Sequence, residues 1–165
     1  MQKNDAAPLD SFDLKILETY QRDTRIPAEQ IGSQVGLSPT AVQRRLKRLR
    51  EIGVITGEVA LLAPAMLDHA VTCVVGVDLE REGATELDRF KARMSACDQV
   101  QQCYYVTGDS DFILIVLSRD MAHYELFTRQ MLLDDANVQS FTTHVVMDRV
   151  KAGMLVPMPG AGGAV

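Results

Sequence analysis

The stretch FILIVL, residues 112–117, is apolar at every position. An element with one wet face leaves polar residues at regular intervals; this one leaves none, so both its sides need cover. Its length and β-branched content make it a strand inside a sheet. The neighbouring segments supply that sheet. VTCVVGVDLE (71–80) is Val-rich and reads as a strand, and TELDRFKARMSA (85–96) carries Leu87, Phe90 and Met94 at helical spacing. VQQCYYVT (100–107) alternates as a strand ending at Gly108, and FILIVLS (112–118) follows. MAHYELFTRQMLL (121–133) is a helix using Met121, Tyr124, Phe127 and Met131, and VQSFTTHVVMDRV (138–150) is the last strand. The order β-α-β-β-α-β is the split, ferredoxin-like arrangement of an antiparallel sheet with two helices. Two helices cover one side of such a sheet. The other side needs a second copy of the chain or a lid, and a second copy is the simpler solution, so a homodimer is expected.

The remainder of the chain has a different character. Residues 1–60 hold nine Lys/Arg and eight Asp/Glu, whereas residues 61–165 hold eight and fourteen, so the net charge of -5 sits in the second part. LDSFDLKILETYQRD opens with Asp10 as an N-cap and Asp13 in the first turn, where a carboxylate suits the helix dipole. Phe12, Ile16, Leu17 and Tyr20 recur on one face. IPAEQIGSQVG begins a second helix at Pro27, with Ile31 and Val35 on its buried side; Gly36 supplies a tight turn. Ser38 then caps a third helix that starts at Pro39 and stops before Gly53.

On a helical wheel Val42, Leu46 and Leu49 of this third helix share a face. Thr40, Arg44, Lys47 and Glu51 lie opposite, flanked by Gln43 and Arg48, so the basic residues are expected to face solvent as one stripe. A short helix, a turn of about four residues and a helix with a polar, basic outer face is helix-turn-helix architecture, sized for the DNA major groove. Arg and Gln can each pair in a two-pronged way with a base edge, and Lys and Arg on phosphates hold the register. The candidate DNA-binding residues are Ser38, Thr40, Gln43, Arg44, Lys47 and Arg48. A run of cations on a helix is also what any solvated face can look like; the turn in front of this one favours DNA. GVITGEVALLAP (53–64) reads as a short extended wing and then a linker.

The expected organisation is α+β: a flexible N-terminus over 1–8, a winged helix-turn-helix over 9–58, a linker over 59–69, an αβ-sandwich over 70–151 and a flexible tail over 152–165. No apolar run approaches the roughly 20 residues that span a bilayer, and no signal-peptide core opens the chain, so a cytoplasmic protein without a membrane partner is expected. Cys73, Cys97 and Cys103 make an odd set without a C-x-x-C pair, and His69, His123 and His144 are scattered. Neither a disulfide framework nor a metal site is expected. The turn YYVTGDSDF brings Asp109 and Asp111 close together. Their pairing is open to three readings: a plain hairpin turn, an acid/base pair of an enzyme, or a holder for the amino group of a small ligand.

Taken together, LDSFDLKILETYQRDTRIPAEQIGSQVGLSPTAVQRRLKRLREIGVI, VTGDSDFILIV and VVMDRVK resemble the Lrp/AsnC (feast/famine) transcriptional regulators over about residues 9–151. The resemblance implies a winged helix-turn-helix followed by a ligand-sensing αβ-sandwich of the RAM type. It implies dimers that associate further, often into octamers, and control of transcription by an amino acid or related metabolite, with no cofactor and no catalysis. It maps an effector site onto Tyr105, Gly108, Asp109 and Asp111, with Met121, His144 and Val145 lining the rest. Ser110 departs from a place often aromatic. Two other functions stay open on the same scaffold: an enzyme similar to the sirohaem decarboxylases, and a metabolite-binding assembly whose helix-turn-helix is vestigial.

Overall fold

The structure is a computed structural model and describes residues 8–159. It divides into two compact units. One ends at Ala60 and takes in the segment from Ala152 onward; the other is Leu61–Lys151.

The first unit has three helices, α1 (Ser11–Tyr20), α2 (Ala28–Val35) and α3 (Pro39–Glu51). Each starts where local chemistry dictates. Asp10 caps α1 by accepting from the Asp13 N–H, and Ser38 caps α3 by accepting from the Ala41 N–H. Between α2 and α3, Gly36 takes a left-handed φ of 76°, and both Gly36 and Leu37 donate back to the Gly32 carbonyl. A side chain at Gly32 would run into the Leu37 carbonyl, so the turn needs glycine twice. Ile16, Tyr20, Ile31, Val35, Val42 and Leu46 form one core, with Leu49 fully buried as well. Phe12, expected on the same face, stands partly exposed under the Arg45 guanidinium.

Past α3 the expected wing is extended but joins no strand ladder among the described residues. Its start folds back on α3 instead, the Val54 and Ile55 N–H groups donating to the Leu49 carbonyl at 3.0 and 3.1 Å. Arg50 tethers it through Glu58 at 2.8 Å. The tail expected to be flexible also behaves differently over its described part. Gln21, the C-cap of α1, accepts from the Val156 N–H (3.0 Å) and donates to the Val156 carbonyl (3.1 Å). Residues 160–165 of that tail, and 1–7 of the expected flexible N-terminus, lie outside the described residues.

The second unit opens with a 3-10 turn at Pro64–Leu67, followed by β1 (Val71–Leu79), α4 (Ala84–Ser95), β2 (Val100–Tyr105), β3 (Phe112–Ser118), α5 (Met121–Thr128) and β4 (Val138–Val145). The sheet order is β2-β3-β1-β4, antiparallel throughout, so the FILIVL strand is central and has a neighbour on each side. Cys73, Val75, Val77 and Leu79 of β1 share a face with Phe112, Leu114 and Val116 of β3, buried against Phe90 and Met94 of α4 and Tyr124 and Phe127 of α5. Val74, Ile113, Ile115 and Leu117 point the other way and remain half-exposed.

Two boundaries differ from expectation. β4 stops at Val145 rather than Val150, because β1 starts at Val71 and offers its last acceptor, the Thr72 carbonyl, to the Val146 N–H. Helix α5 gives way to a π turn at Arg129–Leu133 instead of continuing as regular helix. Its first residue, Met121, is not core but half-exposed, since it sits on the opening turn beyond the β3 end.

Candidate DNA interface and effector site

Helix α3 carries its buried ridge of Val42, Leu46 and Leu49 on one side. On the other, Thr40, Gln43, Arg44 and Lys47 are exposed. Arg44 makes no ion pair among the described residues, and Lys47 has only an exposed i,i+4 contact with Glu51 at 3.8 Å. Ser38 has a second duty, its hydroxyl being spent on the Ala41 N–H.

The stripe of cations is narrower than the wheel suggested. Arg48 places Nη1 3.0 Å from Asp13 Oδ2, Arg45 reaches both Asp10 and Asp13 at 2.8 Å, and Arg50 meets Glu58 and the Tyr20 hydroxyl. The flanks of α3 lie against the acidic start of α1, so the outermost positions alone present uncommitted charge. Asp10 is held below its ordinary pKa by the Asp13 N–H and then by Arg45. Glu58 is lowered chiefly by Arg50. Asp13 was expected only as a first-turn carboxylate, not as a buried partner of α3, and Arg45 was not among the candidate residues. Only the spacing of Asp10 and Asp13 as a reciprocal cap hinted at either.

In the αβ unit the seven proposed effector residues fall into two groups. Tyr105, Gly108, Asp109 and Asp111 cluster where β2 turns into β3. Met121, His144 and Val145 lie toward the opposite end of the sheet, where β3 ends and Val145 pairs with Cys73. The length of β3 separates the groups by about 20 Å. His144 and Val145 also point to opposite faces: Val145 shares the helix side with Cys73, whereas His144 stands over Val74 on the open face. One chain therefore does not bring the seven together.

Within the first group the roles diverge. Asp111 is built into the sheet. Its N–H donates to the Val77 carbonyl at 3.0 Å, and its Oδ2 accepts from the Leu79 N–H at 2.7 Å, where the β1–β4 register shifts. Asp109 is exposed on the turn beside Gly108, whose φ is 137°. Ser110 fits over Gly76, where an added Cβ would come within 2.7 Å of its hydroxyl. Tyr105 leans on Phe112 with centroids 5.1 Å apart and takes the Lys91 ammonium 5.1 Å from its ring. Tyr105, Phe112 and Lys91 border a concavity of about 480 Å³ between α4 and β2, which Gly108, Asp109 and Asp111 do not line. Sequence reasoning overlooked Lys91, which only the packing of α4 on β2 reveals.

A helix-turn-helix with an exposed basic ridge, followed by an αβ unit with an open sheet face, defines the class: a DNA-binding regulator with a separate ligand-binding domain. Residues 9–50 match the AsnC-type helix-turn-helix domain, and residues 72–156 match the Lrp/AsnC ligand binding domain. The chain belongs to the Lrp/AsnC family. It is 48% identical over 153 residues, 93% of its length and 90% of the relative's, to an uncharacterised HTH-type transcriptional regulator of Sinorhizobium fredii. It is 38% identical over 151 residues to the leucine-responsive regulatory protein of Haemophilus influenzae, covering 92% of this chain and 91% of that one. A Neisseria meningitidis transcriptional regulator solved as its L-Met complex superposes with a TM-score of 0.85 at 28% identity, over 91% of this chain and 97% of the other.

Proposed function

We propose that this chain is a homodimeric, sequence-specific DNA-binding transcriptional regulator whose operator affinity responds to an amino acid or a closely related metabolite. The observation that carries the first half is the exposed ridge of Thr40, Gln43, Arg44 and Lys47 on a helix whose opposite side is wholly buried. Arg44 and Gln43 read base edges; Lys47 and the outer part of Arg48 engage phosphates; Ser38 and Thr40 bring the start of the helix to the groove.

The effector half rests on the two separated residue groups and on the relatives. A second copy supplies what one chain lacks, so that the turn of one protomer meets the far-end group of another. Asp109 takes the effector's ammonium group, and backbone donors around Gly108 take its carboxylate. Tyr105, Met121 and Val145 offer apolar surface, and His144 faces the open side. Leucine response in one relative and bound L-Met in another support an amino-acid effector. Dimers of this kind join into larger rings such as octamers. The described residues contain no helix long and apolar enough to cross a membrane, and a cytoplasmic regulator needs none. Catalysis by an Asp109/Asp111 pair is disfavoured because the Asp111 carboxylate is spent on Leu79.

The test is a salt titration of DNA binding, then thermal-shift screening with the twenty amino acids and a repeat titration with any that raise the melting temperature. Arg44→Ala is expected to lose about 1–3 kcal/mol on a selected duplex and far less on an unselected one. Equal losses on both would make Arg44 a phosphate contact.

A further inference from the structure

Asp13 has 1% of its side chain exposed, which is more burial than a capping carboxylate requires. A buried charge survives only with partners on every side. Asp13 Oδ1 accepts from Arg45 Nη1 at 2.8 Å, and Oδ2 accepts from Arg48 Nη1 at 3.0 Å and from the Asp10 N–H at 3.2 Å. Asp10 adds a second bond to Arg45 Nη1, also 2.8 Å. The reciprocal cap at the start of α1 is thus also a cradle for two arginines of α3, more than thirty residues away.

Arg45 gives the carboxylates only Nη1. Its Nε and Nη2 donate to no acceptor among the described residues. Its guanidinium lies 5.5 Å from the Phe12 ring centroid, which limits its rotation. Arg44, Arg45 and Arg48 with Asp10 and Asp13 line an open depression of about 410 Å³. Among the described residues, three guanidinium groups against two carboxylates leave one positive charge in excess there, which matches the single negative charge of a phosphodiester. A guanidinium already fixed by a carboxylate loses little freedom when it takes an oxyanion.

We propose that this depression seats one DNA backbone phosphate, with Arg45 as its contact and Asp13 as the positioning residue that presents Arg45 and Arg48. This rests on α3 being the DNA-binding helix and adds to the six residues assigned above. Arg44 at the same rim faces the bases, so the phosphate seat fixes the register in which α3 enters the groove.

The experiment uses the full-length protein and two duplexes of equal length, one enriched from a random pool by the wild type and one unselected. Binding is measured across a salt series at a temperature where circular dichroism shows every variant folded. Arg45→Ala is expected to weaken both duplexes alike, by roughly tenfold, and to lower the salt slope by about one. Asp13→Asn is the sharper arm. Removing a carboxylate from a DNA-facing site tightens binding if only bulk charge matters. The proposal expects the reverse: several-fold weaker binding, vanishing when Arg45 and Arg48 are already Ala. Tighter binding, or the same loss in both backgrounds, overturns it. If Asp13→Asn does not fold, Arg45→Lys decides, since it keeps the charge and loses the fork. Several-fold weaker binding at an unchanged melting temperature supports the seat, and wild-type affinity overturns it. Absence of salt-dependent DNA binding by the wild type removes the regulator reading itself. A normal Arg44→Ala loss beside a silent Arg45→Ala removes the phosphate seat alone.

Discussion

The helix-turn-helix unit turns its apolar residues inward and a polar ridge outward, whereas the αβ unit leaves one apolar sheet face half-exposed. In the first, three helices close on a common core, and the ridge that faces outward is polar. In the second, the helix-side core is just as dry, but the other side of the same sheet presents Val74, Ile113, Ile115 and Leu117 half-exposed. Its candidate effector residues are also parted to two ends of a strand. On the function proposed above, recognition lies in each protomer and sensing between protomers. An effector then acts by favouring one arrangement of copies, and it shifts DNA affinity by no more than its preference for that arrangement.

The most forceful way to break this contrast is Ile115→Asp. Ile115 pairs with Val74 and Gln102 at the centre of the open face. An unpaired carboxylate buried in an interface costs about 3–5 kcal/mol, so self-association is expected to weaken by more than a hundredfold. The protomer should keep its fold, because Leu114 and Val116 on the helix side are untouched. Sedimentation velocity and circular dichroism read the two effects separately. Association at the wild-type level would mean that a lid or another surface covers the sheet. Leu114→Ala is the counterpart: fully buried on the helix side, it should cost about 2–5 kcal/mol of stability directly.

A smaller effect separates the two aspartates of the turn. Asp111→Ala strands the buried Leu79 N–H and should cost about 1–3 kcal/mol of stability in the apo protein. Asp109→Ala, on an exposed turn, should stay within about 0.5 kcal/mol in the apo protein while abolishing the thermal shift given by the effector. Calorimetric melts with and without the amino acid found by screening distinguish them. If Asp109→Ala retains the full ligand shift, the ammonium group is held elsewhere.

These contrasts also explain what could be read from the sequence. The caps Asp10 and Ser38, the turn at Gly36 and the ridge Val42, Leu46 and Leu49 are local signals, and all stand where their spacing put them. The central place of FILIVL follows from its composition alone. Pairings across the fold were less accessible. A wheel shows which way Arg45 and Arg48 leave α3 but not that the start of α1 waits there with two carboxylates. Val146 and Met147 are as β-compatible as the residues before them, yet β4 ends where its partner does. The role of Asp111 depends on a register shift in another strand. Helical spacing placed Met121 on a buried face, but spacing carries no information about where the sheet beneath runs out.

The gentlest perturbation compares two helix caps, one in each unit. Asp10 and Asp120 each accept from a backbone N–H of the first turn, and each is held below the ordinary carboxylate pKa of 3.8, chiefly by that bond. A carboxylate with a depressed folded pKa contributes stability above its unfolded value and loses it as pH falls through the lower folded value. Asn caps a helix about as well as Asp, so Asp→Asn at either site removes the charge and keeps the acceptor. Each variant should therefore melt slightly below wild type near neutral pH, with the difference closing as the pH drops below about 3.8. The two should part company in DNA binding. Asp10 also holds Arg45, whereas the side-chain partner of Asp120 is the exposed Arg119 in another unit. Asp10→Asn is expected to change the salt slope of DNA binding, and Asp120→Asn to leave it unaltered. Matching slopes in both variants would show that the Asp10–Arg45 contact has no part in how α3 meets DNA.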